Sequence, residues 1–253
     1  MVRSNFTKFK IISLPATTST NTYIKERIDE LPENSVVIAD IQTDGRGRLG
    51  NKWIADKGAL SMSVLFKNIS SAQNLTVISA VAVCQSLYRL YGIKAGIKWT
   101  NDIICENKKI CGILCESAIK CSSDSEGHRS YVICGIGLNV NQEKEFFDKS
   151  GLSDGASLNS LYSKEYNKTE IGLYILRRIA ILQSMAFSEV IKTYKALCVT
   201  LGRQVKLIRN NCEITAYAKD IDENGCLICE NESGEFVVNS GVVRVRGING
   251  EYV

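Results

Sequence analysis

Between Gln42 and Trp53 the chain reads Gln42-Thr43-Asp44-Gly45-Arg46-Gly47-Arg48-Leu49-Gly50, a composition that limits what the loop can do. Glycine lets a backbone approach a ligand closely and adopt positive φ. The arginines Arg46 and Arg48 bring permanent charge and forked donors matched to phosphate or carboxylate oxygens. Successive N–H groups in such a loop can also form an anion-binding nest. The Gly-Lys-Ser/Thr ending of a P-loop is missing. Taken alone, the loop is served as well by a basic surface turn that binds nothing, or by a Gly-Arg segment that binds RNA.

Further signals lie on either side. Lys98-Trp99-Thr100-Asn101-Asp102 precedes Lys109-Ile110-Cys111-Gly112-Ile113-Leu114, where a lysine opens an apolar strand with glycine three residues later. A lysine there also suits a solvated strand end. Gly135-Ile136-Gly137-Leu138-Asn139-Val140-Asn141 carries glycines within a strand, which mark close approach of a ligand or tight strand packing. Near the start, Ser19-Thr20-Asn21 closes a cluster of helix-capping residues.

These residues need elements to hold them. Ile24, Ile28 and Leu31 recur at helical spacing, so Ser19, Thr20 and Asn21 fall at a helix N-terminus. Residues 36–42 are strand-like and lead into the glycine loop; residues 60–66 alternate as a strand. A long helical pattern covers 73–91. Ile97-Lys98-Trp99 and a turn at Asn101-Asp102 lead into a hairpin with strands at 103–105 and 109–116; a polar loop at 118–130, a further strand at 131–140 and a loop with a short helix at 141–168 follow. Residues 170–197 read as one long amphipathic helix or two close ones. After Gly202, short strands at 204–208, 213–218, 226–230, 235–238 and 242–246 alternate with turn residues, as in a small β-barrel or sandwich. A boundary near residue 200 divides domains 1–200 and 201–253.

The bulk composition sets outer limits. With 253 residues, 45% hydrophobic, 23% charged and two prolines, the chain can bury an ordinary core. A net charge of +4 is too small to argue for nucleic acid, though it suits an anionic ligand or an acidic partner. Several of the ten cysteines sit in apolar runs and read as small buried hydrophobes. Cys226-Leu-Ile-Cys229 is a single CxxC and His128 the single histidine, too little for a zinc or redox centre. Neither a signal peptide nor a membrane-length apolar run appears, so the expected setting is the reduced cytoplasm.

Together the motifs resemble those of the biotin protein ligases. That family carries a Ser-Thr-Asn near the start, a Gly-Arg-Gly-Arg loop ending in tryptophan, Lys-Trp-Pro-Asn-Asp, Lys-x-x-Gly-Ile-Leu and Gly-Ile-Gly-x-Asn-Val-Asn. All stand here in the same order, and the resemblance spans roughly residues 11–250. It implies an α/β (α+β) fold: a mixed sheet packed on helices in a class II synthetase-like catalytic domain, followed by a C-terminal SH3-like β-barrel entered at Gly202-Arg203-Gln204. It implies ATP-dependent activation of biotin to biotinyl-5′-adenylate, then transfer to a lysine of a biotin carboxyl carrier protein, acetyl-CoA carboxylase's carrier subunit being the expected target. ATP and Mg²⁺ would be required.

Carried over by residue, the resemblance assigns Ser19, Thr20, Asn21, Gln42, Arg46, Gly47, Arg48, Trp53, Lys109 and Gly112 to biotin. Gly45, Arg46, Arg48, Asn101, Asp102, Lys109 and Asn139 would serve the nucleotide, Asn139 beside Gly135 and Gly137, with Asp102 the candidate neighbour of Mg²⁺. Lys109 and Arg48 would be catalytic, and Ile113 or Leu114 would help form an apolar floor. Asp154-Gly155-Ala156-Ser157-Leu158 weakly matches a second ordering loop. Thr100 replaces the family's proline, and Asn51 stands where many relatives carry a basic residue. With no N-terminal helix-turn-helix in view, the expectation is a monofunctional ligase without a DNA partner. Dimerisation is common in the family, but no interface signature is visible. The rivals are a lipoate-type protein ligase or acyltransferase, which shares the fold, and a non-catalytic RNA-binding module. The latter is weakened because only Trp53 is available to stack bases near the basic loop.

Overall fold

The computed structural model describes residues 9–67, 69, 71–121, 128–209, 212–240, 243–248 and 250–252. Through Asn139 the chain forms β1 (Lys10–Thr17), α1 (Thr20–Glu26), β2 (Ser35–Gln42), β3 (Ala59–Lys67), α2 (Ala72–Tyr91), β4 (Gly96–Lys98), β5 (Asp102–Cys105), β6 (Lys108–Cys121) and β7 (His128–Asn139). Four helices follow: α3 (Lys144–Lys149), α4 (Leu158–Tyr162), α5 (Lys168–Gln183) and α6 (Phe187–Leu197). The chain then builds β8 (Arg203–Arg209), β9 (Cys212–Ile221), β10 (Leu227–Asn231), β11 (Gly234–Val238) and β12 (Arg244–Gly247).

The first seven strands make one mixed sheet in the order β1-β2-β3-β7-β6-β5-β4. Only β1 and β2 pair in parallel. Pro15 sits in β1, an edge strand, where a missing N–H costs the ladder least.

Alternation decides which face each side chain joins. Val36, Leu60, Met62, Val64, Phe66, Val132, Cys134 and Ile136 fall on the face packed by α2 and α5. Val37, Leu65, Tyr131 and Ile133 fall on the opposite face with Ile24, Ile28 and Leu31. Each of those buried isoleucines contributes roughly 1.5–3 kcal/mol relative to an exposed one. Ser63, Gly135 and Gly137 continue that second face past the apolar side chains of α1; Ser63 and Gly135 meet only its polar first turn, and there the sheet carries polar and small residues instead of a core.

The C-terminal strands form a five-stranded antiparallel sheet in the order β11-β10-β9-β8-β12. The expected barrel is therefore described as an open sheet: β11 and β12 are its edges, and no ladder joins them among the described residues. It is tied to the larger sheet through the β9–β10 turn, where Gly225 O accepts from Trp99 Nε1 at 3.0 Å and Gln73 Nε2 at 3.0 Å.

Two boundaries differ from expectation. α1 stops at Glu26, and residues 27–30 continue as turns that keep Ile28 and Leu31 buried. The β6–β7 hairpin extends to Cys121 and His128, because cross-strand pairing continues past Glu116; residues 122–127 of the expected loop lie outside the described ones, as do the side chains at the hairpin end, His128 included. Residues 168–197 form two helices, broken at Ser184–Ala186. Cys229 is buried in β10, while Cys226 precedes that strand with its Sγ 3.1 Å from Asn239 Oδ1. No helix among the described residues is long and apolar enough to cross a membrane.

Candidate active site

On the sheet face left open beside α1, a cleft of about 180 Å³ gathers residues from both sheets. Its neutral end is built by the N-terminus of α1. Ser19 is the extended N-cap, and Ser19, Thr20 and Asn21 are each 3% exposed. Gln42 Oε1 accepts from Thr20 N at 2.8 Å and from Thr20 Oγ1 at 3.1 Å. Ser63 Oγ lies 2.6 Å from both Thr20 Oγ1 and Asn21 Oδ1, and Asn21 Nδ2 donates to Glu116 Oε2 at 2.7 Å. Glycine at 135 is what admits this network, since a Cβ there would overlap Asn21 Oδ1.

Trp53 forms the wall next to it. Gly112 and Gly137 are direct partners across β6 and β7, and the indole lies over them. A Cβ at 137 would stand 2.5 Å from indole Nε1, and one at 112 would stand 3.2 Å from Cζ3. Leu114 shares this face with Gly112, whereas Ile113 packs into the main core; both line the cleft. Trp53 Nε1 is buried without a hydrogen-bond partner.

The other end is charged. Lys109 Nζ contacts Asp102 Oδ1 at 2.7 Å and lies 5.6 Å from the Trp53 ring centroid. Asn101 Nδ2 donates to Ile113 O at 2.9 Å, which frees its Oδ1 to accept from Arg48 Nη1 at 2.7 Å. Arg48 Nη2 and Thr100 Oγ1 are buried with no partner among the described residues. The loop carrying Arg48 is closed by Trp53 N donating to Gly45 O at 2.8 Å and Gly47 N donating to Asn51 O at 2.7 Å. Asn51 also donates its side chain to Arg48 O at 2.8 Å, so this departure from the family pattern holds the loop's own backbone.

Burial pushes the Asp102 carboxyl upward, but the charge and hydrogen bond of Lys109, the Tyr252 hydroxyl and Lys98 outweigh it, and it ends below the usual carboxylate range. Lys98 is 6% exposed, and burial pushes its ammonium down to about 8 against the partial support of Asp102. Burial likewise lowers Arg48.

Most expected residues converge. Ser19, Thr20, Asn21, Gln42, Arg46, Gly47, Arg48, Trp53, Asn101, Asp102, Lys109 and Gly112 all line the cleft. Gly45 is buried against the Trp53 backbone and borders a neighbouring groove instead of the cleft, and buried Asn139 is engaged by Gln142 Nε2 at 3.1 Å outside the cleft lining. The 154–158 segment runs along Lys109, whose N donates to Asp154 O at 2.7 Å and whose O accepts from Ala156 N at 3.0 Å.

Comparison with known proteins then decides the family. Residues 13–139 match the model of the biotin/lipoate A/B protein ligase family, and residues 200–246 match the biotin protein ligase C terminal domain. The chain belongs to the biotin/lipoate A/B protein ligase family. A biotin--[acetyl-CoA-carboxylase] ligase of Mycobacterium tuberculosis is 30% identical over 83% of this chain and 79% of its own length. A biotin protein ligase from Aquifex aeolicus, solved in complex with biotin and ATP, superposes with a TM-score of 0.78 at 28% identity, over 94% of this chain and 99% of that one. The bifunctional ligase/repressor BirA of Bacillus subtilis is 30% identical over 80% of this chain, which spans 63% of BirA's length.

For this family member the sequence reading missed Lys98, Arg244, Arg246 and Tyr252, all of which line the cleft. Arg246 Nη1 sits 3.2 Å from Asp154 Oδ2, and Lys98 Nζ lies 3.7 Å from the Tyr252 ring centroid. Lys98 lies between the apolar residues Ile97 and Trp99, an available signal of burial. The other three come from a second sheet and its tail, where no local pattern points back to the cleft.

Proposed function

We propose that the protein activates biotin with ATP and transfers it to a lysine of a biotin carrier protein, acetyl-CoA carboxylase's carrier being the expected acceptor. One observation carries this reading: Arg46, Arg48, Lys52, Lys98, Lys109, Arg244 and Arg246 line one cleft with Asp102, the one carboxylate among the described lining residues, next to a hydrogen-bonded end without a lining charge, floored by apolar side chains. The neutral end suits a ureido-bearing apolar ring system, and the charged end suits a carboxylate meeting a polyphosphate. The Aquifex relative, solved with biotin and ATP, supports that pairing.

In the first step a biotin carboxylate oxygen attacks the α-phosphorus; the bond to the β-bridging oxygen breaks, and pyrophosphate leaves with its electrons. Two anions approach each other, so fixed cations at the developing charge supply most of the catalysis. Lys109 and Arg48 take that role, and Asn101 orients Arg48. In the second step a carrier lysine amine attacks the acyl carbon, the C–O bond to AMP breaks, and the amine loses a proton. Mg²⁺ arriving with ATP would neutralise phosphate charge and would be held chiefly by phosphate oxygens, with Asp102, already engaged by Lys109 and Tyr252, as the cleft carboxylate facing it. Ser19, Thr20, Asn21 and Gln42 hold the ring end, Trp53 walls it, and closure of the 43–53 loop excludes water from the adenylate. Residues 1–200 form the catalytic unit and 201–253 the appended one, working in the cytoplasm.

Biotin-dependent exchange of labelled pyrophosphate into ATP tests the first step. Exchange supported by biotin and not by lipoate is expected. Exchange with lipoate alone would instead select the lipoate-type reading.

A further inference from the structure

The match to the C-terminal family model ends at residue 246, yet the chain returns to the cleft six residues later. Beyond β12, Gly247 N donates to Glu251 O at 3.0 Å and Gly250 N to Gly247 O at 2.9 Å, folding the tail back on itself. Gly250, at φ +87°, makes that reversal without a Cβ penalty. The result sets the Tyr252 hydroxyl on Asp102 Oδ2. The Tyr252 ring is covered by Lys98 Nζ at 3.7 Å and by the Arg246 guanidinium at 4.7 Å, both within cation–π range.

Asp102 therefore has its two oxygens assigned separately. Oδ1 faces Lys109 Nζ at 2.7 Å, and Oδ2 accepts from the phenol. A carboxylate held only through one oxygen can swing about its Cβ–Cγ bond and carry its lysine partner with it; one held at both oxygens cannot. The remaining neighbour of Asp102, Asn101 Nδ2 at 3.3 Å, makes only a long contact because that amide is committed to Ile113 O. The ring also closes over Lys98 and keeps that buried cation close to Asp102.

We propose that Tyr252 is a positioning residue for the activation step, fixing the Asp102–Lys109 pair so that the C-terminal tail completes the site in cis. The inference rests on the ligase reading above. Tyr252 acts through Asp102 and holds no reacting atom. Replacing its hydroxyl lowers turnover while leaving the neutral end of the cleft intact.

The test uses the full chain with Tyr252→Phe, Tyr252→Ala, Asp102→Asn and the Tyr252→Phe/Asp102→Asn double variant. Biotin-dependent pyrophosphate exchange gives kcat and each KM, and calorimetry gives the affinity for a non-hydrolysable biotinyl-adenylate analogue. Tyr252→Phe is expected to lower kcat roughly tenfold, the scale of one hydrogen bond to a charged group, with the KM for biotin unchanged. It is expected to weaken the analogue in the wild-type background and to add nothing once Asp102 is Asn, because coupled residues are non-additive. A Tyr252→Phe protein equal to wild type, or additive effects in the double variant, would overturn the inference. So would faster exchange in Tyr252→Ala, which would make the tail a plug. Wild-type protein without biotin-dependent exchange would instead overturn the ligase reading, and this inference with it.

Discussion

The two ends of the cleft are built on opposite principles. At the neutral end, Thr20, Asn21, Gln42 and Ser63 hydrogen-bond one another and Asn21 also donates to Glu116, so these side chains are paired without a ligand, while the adjoining Trp53 indole N–H has no partner among the described residues. At the charged end, seven cations and one carboxylate, Asp102, line the cleft among the described residues, and Arg48 Nη2 is buried with no partner among them. Buried polar groups cost free energy unless paired. The neutral end is thus pre-organised for a neutral ligand, and the charged end carries a cost that an anionic ligand would relieve. Substitutions at the first should show as lost affinity for biotin; substitutions at the second should show as lost turnover and altered response to pH.

The largest expected effect tests this division most severely. Lys109→Ala removes the cation at Asp102 Oδ1 and leaves a largely buried carboxylate with Tyr252 on its other oxygen. Adenylate formation should fall by at least about 100-fold, the scale for losing a fixed electrostatic stabiliser. Pyrophosphate exchange measures it, and unchanged affinity for biotin's ring end would keep the two ends distinct.

Next in size is Gly135→Ala. Its methyl meets Asn21 Oδ1 and forces the neutral network apart. Biotin affinity should drop by about 10–100-fold, with a stability loss of about 1–3 kcal/mol from overpacking. Calorimetric titration and thermal unfolding read the two effects. Equal loss of ATP affinity would mean the ends are one site energetically.

The charged end also predicts a pH signature. Lys98 titrates near 8 in the folded protein, below the ordinary lysine value of 10.5. Between those values the unfolded chain binds more protons, so the contribution of Lys98 to stability rises with pH across that window and is constant below it. Anion affinity should run the other way, falling by up to about tenfold per pH unit above 8 as the cation is lost. ATP titrations from pH 7 to 9.5 on wild type and Lys98→Met check it: the variant should lose this slope.

The smallest effect belongs to Asn51→Ala. Asn51 is exposed and ties only the Arg48 carbonyl, so stability should change by about 0.5 kcal/mol or less and the KM for ATP only a few-fold. Steady-state exchange kinetics read this; a large effect would mean that loop geometry, not charge, limits the step.

How much of this was legible follows the same division. Neutral-end residues sit in local motifs whose surroundings alternate cleanly, so helix α1, the strands and the glycine positions could all be read from spacing. The helical spacing of Ile24, Ile28 and Leu31 extended the helix too far, yet Ile28 and Leu31 are buried because the turns after Glu26 bury the same face. The charged end was only partly legible. Arg48, Asn101, Asp102 and Lys109 stand in recognisable segments, but Arg246 and Tyr252 reach them across more than a hundred residues through the docking of a second sheet. Asn139 illustrates the converse: its motif was clear, but Gln142 engages its side chain outside the cleft.

The central claim is that the cleft couples activation of biotin to its transfer. Wild-type protein and Lys109→Ala, incubated with labelled biotin, Mg²⁺-ATP and an apo carrier domain, test it in one reaction. The account predicts label on the carrier lysine with wild type and almost none with the variant. No label with folded wild type and a competent carrier, or equal labelling by both proteins, would contradict it.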